Sequence, residues 1–288
     1  MNNASSPLIL SSSWSDYELL DSGDRRKLER FGEVTIIRGE TKAWWKPDDA
    51  TRWRNADAVL HDDGRWELRK GTPRTWMMNL AGVKLQARLT DGSKHLGVFP
   101  EQEPHWTWMM ERLKTRKSPK LLNLFGYTGV ASLAAAKAGA QVTHVDASKP
   151  SIAWGRDNQS ASGMGEAPIR WVLEDTMKYV GREIKRGSRY DAILLDPPSF
   201  GRGPKGEVWK VEEKAVELLS ECRKLLSDNP LLVIMTMYNL EASALMIGNL
   251  MGEVFGAMGG ELRVGELALK HSRSDKLLPL SLFGRIGW

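Results

Sequence analysis

The chain has 288 residues, 41% hydrophobic and 27% charged, with 41 Lys+Arg against 36 Asp+Glu and a formal charge of +5. A single cysteine excludes an internal disulfide and a structural zinc site, and the longest apolar stretches fall short of a membrane span. The composition is that of a soluble globular protein with length for one large domain or two smaller ones; no signal-peptide pattern opens it, so no membrane partner and a cytoplasmic location are expected.

In chain order, residues 1–15 are polar and serine-rich and read as a flexible tail. A small N-terminal antiparallel β domain is expected over 16–103. It opens with a strand and turn from Tyr17 to Arg25. Short alternating segments follow from Val34 to Phe99, punctuated by Asp48-Asp49, Asp62-Asp63-Gly64 and Asp91-Gly92. Asp63-Gly64 between Ala58-Val59-Leu60 and Trp66-Glu67-Leu68 predicts a hairpin. Eight of the twelve tryptophans lie at or before Trp108. Exposed indoles beside arginines can stack on unpaired bases, but a small β domain also builds its core from large rings, the simpler reading for any single Trp. Trp44 and Trp45 are adjacent, so one of them is expected to be exposed or to meet the other domain.

Leu96 to Gln102 links this part to a second domain over 104–288. That domain opens with an amphipathic helix carrying Trp106, Met109, Met110 and Leu113 on one face and ending before Pro119. Strands are then predicted over 121–125, 141–145, 169–173 and 190–195, alternating with helices over 130–138, 149–162 and 176–186. A helix over 209–226, a strand from Leu231 to Met237 and a helix over 241–258 follow. Two final strands, Leu262 to Leu269 and Leu280 to Ile286, are joined by a short basic turn. The pattern predicts an α/β fold: a doubly wound, mostly parallel seven-stranded sheet whose last strand runs antiparallel.

Four strand ends carry the chemistry. Leu121 to Leu124 runs into Phe125-Gly126-Tyr127-Thr128-Gly129 and an alanine-rich helix, so glycines and helix N–H groups face a ligand. The full dinucleotide glycine fingerprint is absent and no Gly-Lys-Ser/Thr follows, which removes a pyrophosphate cradle and a P-loop. The next strand ends in Asp146, an acceptor for ribose hydroxyls. The third ends in Glu174-Asp175, with Asp175 placed for an adenine amino group. The fourth, Ala192-Ile193-Leu194-Leu195, ends in Asp196-Pro197-Pro198-Ser199-Phe200, where two prolines stiffen the backbone and hold Asp196 outward. This order describes an adenosyl ligand without pyrophosphate, S-adenosylmethionine, and no metal.

These residues resemble the class I S-adenosylmethionine-dependent methyltransferases (EC 2.1.1.-), and within them the large-subunit ribosomal RNA methyltransferases acting on cytosine C5 or guanine N7. The likeness runs from about Tyr17 to the C-terminus. It rests on Phe125 to Gly129, Asp146 with Ser148, Asp175, Asp196 to Phe200, and the linker Gly97-Val98-Phe99-Pro100-Glu101-Gln102. It implies that linker and glycine loop close over the cofactor, with roles for Phe99, Gln102 and Tyr127. The expected cofactor set is then Phe99, Gln102, Phe125, Gly126, Tyr127, Thr128, Gly129, Asp146, Ala147, Ser148, Asp175, Thr176 and Asp196. Two departures stand out. Where the cytosine-C5 members place a nucleophilic cysteine after the fifth strand, this chain reads Met235-Thr236-Met237-Tyr238-Asn239, and its one cysteine, Cys222, sits at core spacing in a helix. The family's separate RNA-binding module is also not expected ahead of the β segment.

The leading expectation is an RNA base methyltransferase, on ribosomal RNA or its precursor, directed at a nitrogen. Asp196 and the Pro197 carbonyl, backed by Pro198, would orient that nitrogen, and Phe200 or Tyr238 would stack on the base. Ser199, Arg202 and Lys205 would contact the substrate, with Lys210 at a basic pocket mouth. A small-molecule or protein methyltransferase, and a non-catalytic cofactor-binding module, are the alternatives. Residues 1–105 balance at 16 Lys+Arg against 16 Asp+Glu, so the basic excess falls in clusters farther on: Arg112 to Lys120, Arg182 to Arg189, and Arg202 with Lys205. Such clusters contact phosphates or are solvated helix faces. The oligomeric state stays open, a homodimer among the options.

Overall fold

The computed structural model describes residues 8–9, 14–80, 82–202, 206, 208–238, 240 and 242–288, without the side chains of Leu8, Ile9 and Arg202. Most of the expected tail, Lys205 and Asn239 lie outside the described residues. Two compact units result: His105–Glu266 with Ser281–Trp288, and Ile9–Pro104 with Leu267–Leu280.

The chain opens with β1 (Leu8–Ile9), β2 (Tyr17–Gly23), β3 (Arg26–Phe31), β4 (Val34–Gly39), the short helix α1 (Ala50–Trp53), β5 (Ala58–Leu60), β6 (Trp66–Leu68), β7 (Thr75–Leu80) and β8 (Val83–Arg88). In the N-terminal unit β2-β3-β4-β5-β6 form one sheet and β7-β8 a separate pair. The hairpin at Asp63-Gly64 forms, with Gly64 at φ 83° and Leu60 opposite Trp66. One pairing departs from the antiparallel expectation: β4 and β5 run parallel. The 40–57 crossover that includes α1 returns the chain in the same direction, which a tight turn cannot do. Beneath this sheet Glu29 is fully buried and accepts from Tyr17 Oη at 2.8 Å and from Arg38 Nε at 2.6 Å. Burial alone would raise its carboxyl, but Arg38 and Lys27 outweigh that and hold it down at about 2. Trp14 and Trp66 join the core, whereas Trp44 is 80% exposed and its neighbour Trp45 donates to the Ser22 carbonyl at 2.9 Å.

The other unit follows a 3-10 turn at Pro100–Gln102. It holds α2 (Glu103–Leu113), β9 (Lys120–Leu124), α3 (Val130–Lys137), β10 (Gln141–Asp146), α4 (Lys149–Ala161), β11 (Ile169–Leu173), α5 (Thr176–Lys185), β12 (Ala192–Leu195), β13 (Phe200–Arg202), β14 (Val208–Lys210), α6 (Val211–Lys224), β15 (Leu232–Met237), α7 (Ala244–Phe255), β16 (Glu261–Lys270) and β17 (Leu277–Gly287). The sheet order is β1-β16-β17-β15-β12-β9-β10-β11. The five strands from β15 to β11 pair in parallel, and β17 runs antiparallel to β15. This is the expected seven-stranded sheet with the two-residue β1 added at one edge. β12 and β15 are buried along their whole length, as a sheet covered by helices on both faces requires. Cys222 lies fully buried in this core with Leu218, Leu219 and Leu225, and burial pushes its thiol well up, which keeps it protonated.

Sequence reasoning ended the fold with two strands and a short basic turn. The strands are longer than that, and Leu267–Leu280 packs with the N-terminal unit, where Ser272 N donates to the Leu19 carbonyl at 2.9 Å. No helix among the described residues is long and apolar enough to cross a membrane.

Candidate active site

The parallel topology gathers the carboxyl ends of β9, β10, β11 and β12 along one edge. In an open α/β sheet ligands bind there. At the end of β9 the chain turns through two left-handed non-glycine residues, Phe125 at φ 58° and Tyr127 at φ 51°, before Gly129 at φ 77° starts α3. Non-glycine residues in that region carry strain, and they persist where surrounding bonds over-determine them. Here Gly126 N donates to the Val145 carbonyl at 3.1 Å and Asn158 Nδ2 to the Thr128 carbonyl at 3.1 Å. Tyr127 N donates to Asp146 Oδ2 at 2.8 Å.

The glycines owe their identity to what lies beneath them. A Cβ on Gly126 would fall 2.4 Å from His144 Cε1, and one on Gly129 would fall 2.4 Å from Trp171 Cη2. His144 is fully buried, with Nδ1 at 3.0 Å from Ser132 Oγ, which in turn accepts from Asn123 Nδ2 at 2.9 Å. Burial holds its imidazole down at about 3, so it is neutral near pH 7. Trp171 packs against it, with ring centroids 4.4 Å apart and the planes tilted by 51°. Sequence reading caught the loop and missed this support, because His144 and Trp171 come from neighbouring strands.

Asp146 is half-buried at the end of β10. One oxygen accepts from Tyr127 N and the other from Ser148 N at 2.8 Å. Burial pushes its carboxyl up, while the N–H groups of Ser148, Tyr127 and Ala147 pull it down; the net shift is upward. A carboxylate has about four acceptor positions, so two backbone donors leave capacity for ribose hydroxyls. Ser148 caps α4, accepting from Ser151 N at 3.3 Å. Asp175 caps α5, accepting from Lys178 N at 3.0 Å, a structural task that sequence reading had not assigned; Thr176 follows it, buried.

Asp196 leaves β12 with its N–H directed at the Leu124 carbonyl at 3.4 Å. Its Oδ1 accepts a hydrogen bond from the hydroxyl of Thr236, a buried residue of the adjacent β15. The Asp-Pro-Pro turn runs into the hairpin β13-β14, in which Phe200 faces Lys210. Trp209 ties this hairpin down: its Nε1 donates to the Pro198 carbonyl at 2.7 Å and its ring lies 5.0 Å from that of Phe125. Val211 N donates to the Ser199 carbonyl at 3.1 Å. Phe200 is left 55% exposed beside the turn, and Tyr238 is half-buried just past β15. Thr236 and Trp209, like His144 and Trp171, carry no sequence signal that assigns them to the site.

Lys210 pairs with Glu213 at 2.7 Å on the first turn of α6. Arg116 with Asp191 at 2.6 Å, Arg186 with Glu183 at 2.8 Å, and Arg182 with Glu174 are likewise paired. Phe99 and Gln102 belong to the N-terminal unit, Gln102 buried and Phe99 against the His95 ring at 5.1 Å.

The edge therefore offers carboxylates at the second and third strand ends, a strained loop supported from below, and a pinned Asp-Pro-Pro turn. That donor set suits an adenosyl ligand bearing no phosphate. Sheet order and edge together define a class I methyltransferase. The sequence profile of the S-adenosylmethionine-dependent methyltransferases matches residues 42–233, and the chain belongs to that family, with S-adenosylmethionine as its cofactor. A crystal structure of a SAM-dependent methyltransferase from Agrobacterium tumefaciens is 45% identical and superposes with a TM-score of 0.93, covering 98% of this chain and 93% of that one. Among curated relatives, a ribosomal RNA large subunit methyltransferase K/L from Pseudoalteromonas translucida is 31% identical over 162 residues, 56% of this chain and 22% of its own length. The same enzyme from Shewanella baltica is 37% identical over 150 residues, 51% of this chain and 20% of its own length. The chain thus spans about a fifth of those curated relatives.

Proposed function

We propose that this chain methylates a base of RNA, ribosomal RNA or its precursor in the cytoplasm, at a ring or exocyclic nitrogen. The observation that carries the reading is Asp196 at the end of β12, fixed by the Thr236 hydroxyl, with the exposed ring of Phe200 four residues on. An acceptor and an exposed aromatic ring on one short turn suit a planar heterocycle that bears an N–H. The names of the matching relatives support RNA as the substrate.

S-adenosylmethionine supplies an electrophilic methyl group on a sulfonium. Asp146 holds the ribose hydroxyls, Asp175 accepts from the adenine amino group, and the loop from Phe125 to Gly129 shapes the pocket. Ala147, Ser148 and Thr176 line it. Asp196 and the Pro197 carbonyl accept N–H bonds from the base and aim its lone pair. Phe200 stacks on it, and Ser199, Arg202, Lys205 and Tyr238 complete the substrate contacts. Holding the nitrogen in line contributes up to ~7–11 kcal/mol of the barrier without a covalent intermediate. The burial of Cys222 supports a route that uses no thiolate.

The test is radiolabelled methyl transfer by the purified protein to RNA, protein and metabolite fractions of cells lacking its gene. Label is expected in RNA, as an N-methylated nucleoside after digestion. Label confined to protein or metabolites would overturn the reading.

A further inference from the structure

The sheet of the catalytic unit has a second edge. At the amino ends of β9, β10 and β11, opposite the strand ends that carry Asp146, Asp175 and Asp196, lies a cavity of about 520 Å³. Its walls include Lys120, Thr143, Arg170, Ser188, Arg189 and Tyr190. Register fixes several of these: Lys120 opens β9 opposite Gln141, and Thr143 of β10 faces Arg170 of β11. No Asp or Glu is among the lining residues.

What sets these three cations apart is that they line one concavity. In the neighbouring clusters Arg116, Arg182 and Arg186 are held in ion pairs. Arg170 and the Lys120 ammonium have no ion-pair or hydrogen-bond partner among the described residues, and the Arg189 guanidinium meets only the neighbouring Ser188 carbonyl at 3.0 Å. Two acids stand beside the wall and are committed elsewhere: Glu183 to the Tyr190 hydroxyl at 2.9 Å and to Arg186, and Asp191 to Arg116 at 2.6 Å and to the Lys120 N–H at 2.8 Å. Three exposed positive charges around one concave site give it a positive potential that attracts an anion. The rest of the wall mixes hydroxyls with the apolar surfaces of Val142, Pro168 and Ile169. A volume of this size is that of a small-molecule site.

We propose that this cavity binds a phosphorylated nucleotide, with Arg170, Arg189 and Lys120 on the phosphate and the base against the apolar wall. The phosphate attracts the cations whether it is free or part of a strand. Resting on the RNA reading above, the nucleotide is a unit of the substrate strand, distant from the base at Asp196. A strand of five residues is roughly 15 Å long, so more than one nucleotide separates the two edges.

The experiment compares the full chain with the double variant Arg170→Gln/Arg189→Gln and with a charge-matched control, Lys137→Gln/Arg273→Gln. Binding of a 12-nucleotide single-stranded RNA is titrated from 50 to 300 mM salt, beside binding of AMP and of S-adenosylmethionine. The cavity variant is expected to bind RNA at least fivefold more weakly at low salt, with a shallower salt slope, about 0.7 per lost phosphate contact. The control is expected to match the parent, and all three proteins to bind S-adenosylmethionine equally. RNA binding by the parent with an unchanged affinity and slope in the cavity variant overturns the proposal and leaves the RNA reading standing. Binding of AMP but not RNA, lost in the cavity variant alone, sustains the cavity and removes the RNA reading. Binding of neither by the parent removes both.

Discussion

The Leu124 carbonyl on the N–H of Asp196 and the Thr236 hydroxyl on its Oδ1 restrict which way its second oxygen can point. If that oxygen orients a nucleophilic nitrogen, Asp196→Ala keeps S-adenosylmethionine affinity and loses roughly 10²–10⁴-fold in single-turnover rate. Asp196→Asn recovers part of the loss if acceptance of an N–H is the whole task, and none if the carboxylate takes up a proton. Wild-type turnover in a folded Asp196→Ala protein would remove the residue from the mechanism. Asp146 is a different case, because its oxygens also tie down the glycine loop. Asp146→Ala is expected to weaken cofactor binding by ~1–3 kcal/mol, read by calorimetry; undiminished affinity would sink the ribose assignment. Cys222→Ala should leave methyl transfer within a few-fold, since the thiol is buried and protonated. A covalent adduct between Cys222 and RNA containing a 5-fluoropyrimidine would restore the thiolate route.

At the scale of elements, the hairpin β13-β14 is the part of the site that rests on one side chain. Trp209→Phe keeps the ring against Phe125 but deletes the hydrogen bond to the Pro198 carbonyl. Its expected signature is a raised KM for RNA with S-adenosylmethionine affinity unchanged and a stability loss of about 1 kcal/mol. Equal loss of cofactor affinity would mean that the hairpin supports the glycine loop rather than the substrate. This hairpin was illegible in the sequence because three-residue strands within 200–210 show no alternation long enough to register. The parallel strands and their helices were legible, since apolar runs ended by Gly or Asp at the strand ends leave few other readings. The reason for Gly126 and Gly129 was not: the colliding atoms belong to His144 and Trp171, and only strand pairing brings them under the loop. The parallel β4–β5 pairing was hidden likewise, because direction is set by the crossover and leaves no mark on either strand.

Across the whole molecule, function was more legible than the division of the chain, for a physical reason. Strand-end acids are local signals, whereas Leu267–Leu280 joins the N-terminal unit through contacts with residues some 250 positions away, among them His271 Nε2 with Ser22 Oγ at 2.7 Å. The same burial that builds both units sets their response to acid. His105 in one unit and His144 beneath the glycine loop are buried and held down at about 3. His95 in the N-terminal unit is held at about 4, by burial and then by Arg38. Each has a folded value below the usual 6.5, so the unfolded chain binds a proton first as pH falls. Stability is therefore full above about pH 6.5 and declines as pH drops toward the folded values. Below about pH 5.5, His105 and His144 together give a slope near 3 kcal/mol per pH unit, from about 1.4 for each. Glu29 adds a loss of the same sign in a lower window, between 4.5 and about 2, because its folded value is depressed by Arg38 and Lys27. Urea unfolding at pH 7.5, 6.0 and 5.0 is expected to show the decline, with proton uptake on unfolding at pH 5.0. His105→Leu should flatten it by about one proton, since this ring has no hydrogen-bond partner among the described residues and packs on Phe283 at 5.0 Å. A parent protein equally stable at pH 5.0 and 7.5 would show that these rings take up protons in the folded state, through local opening of the core around them.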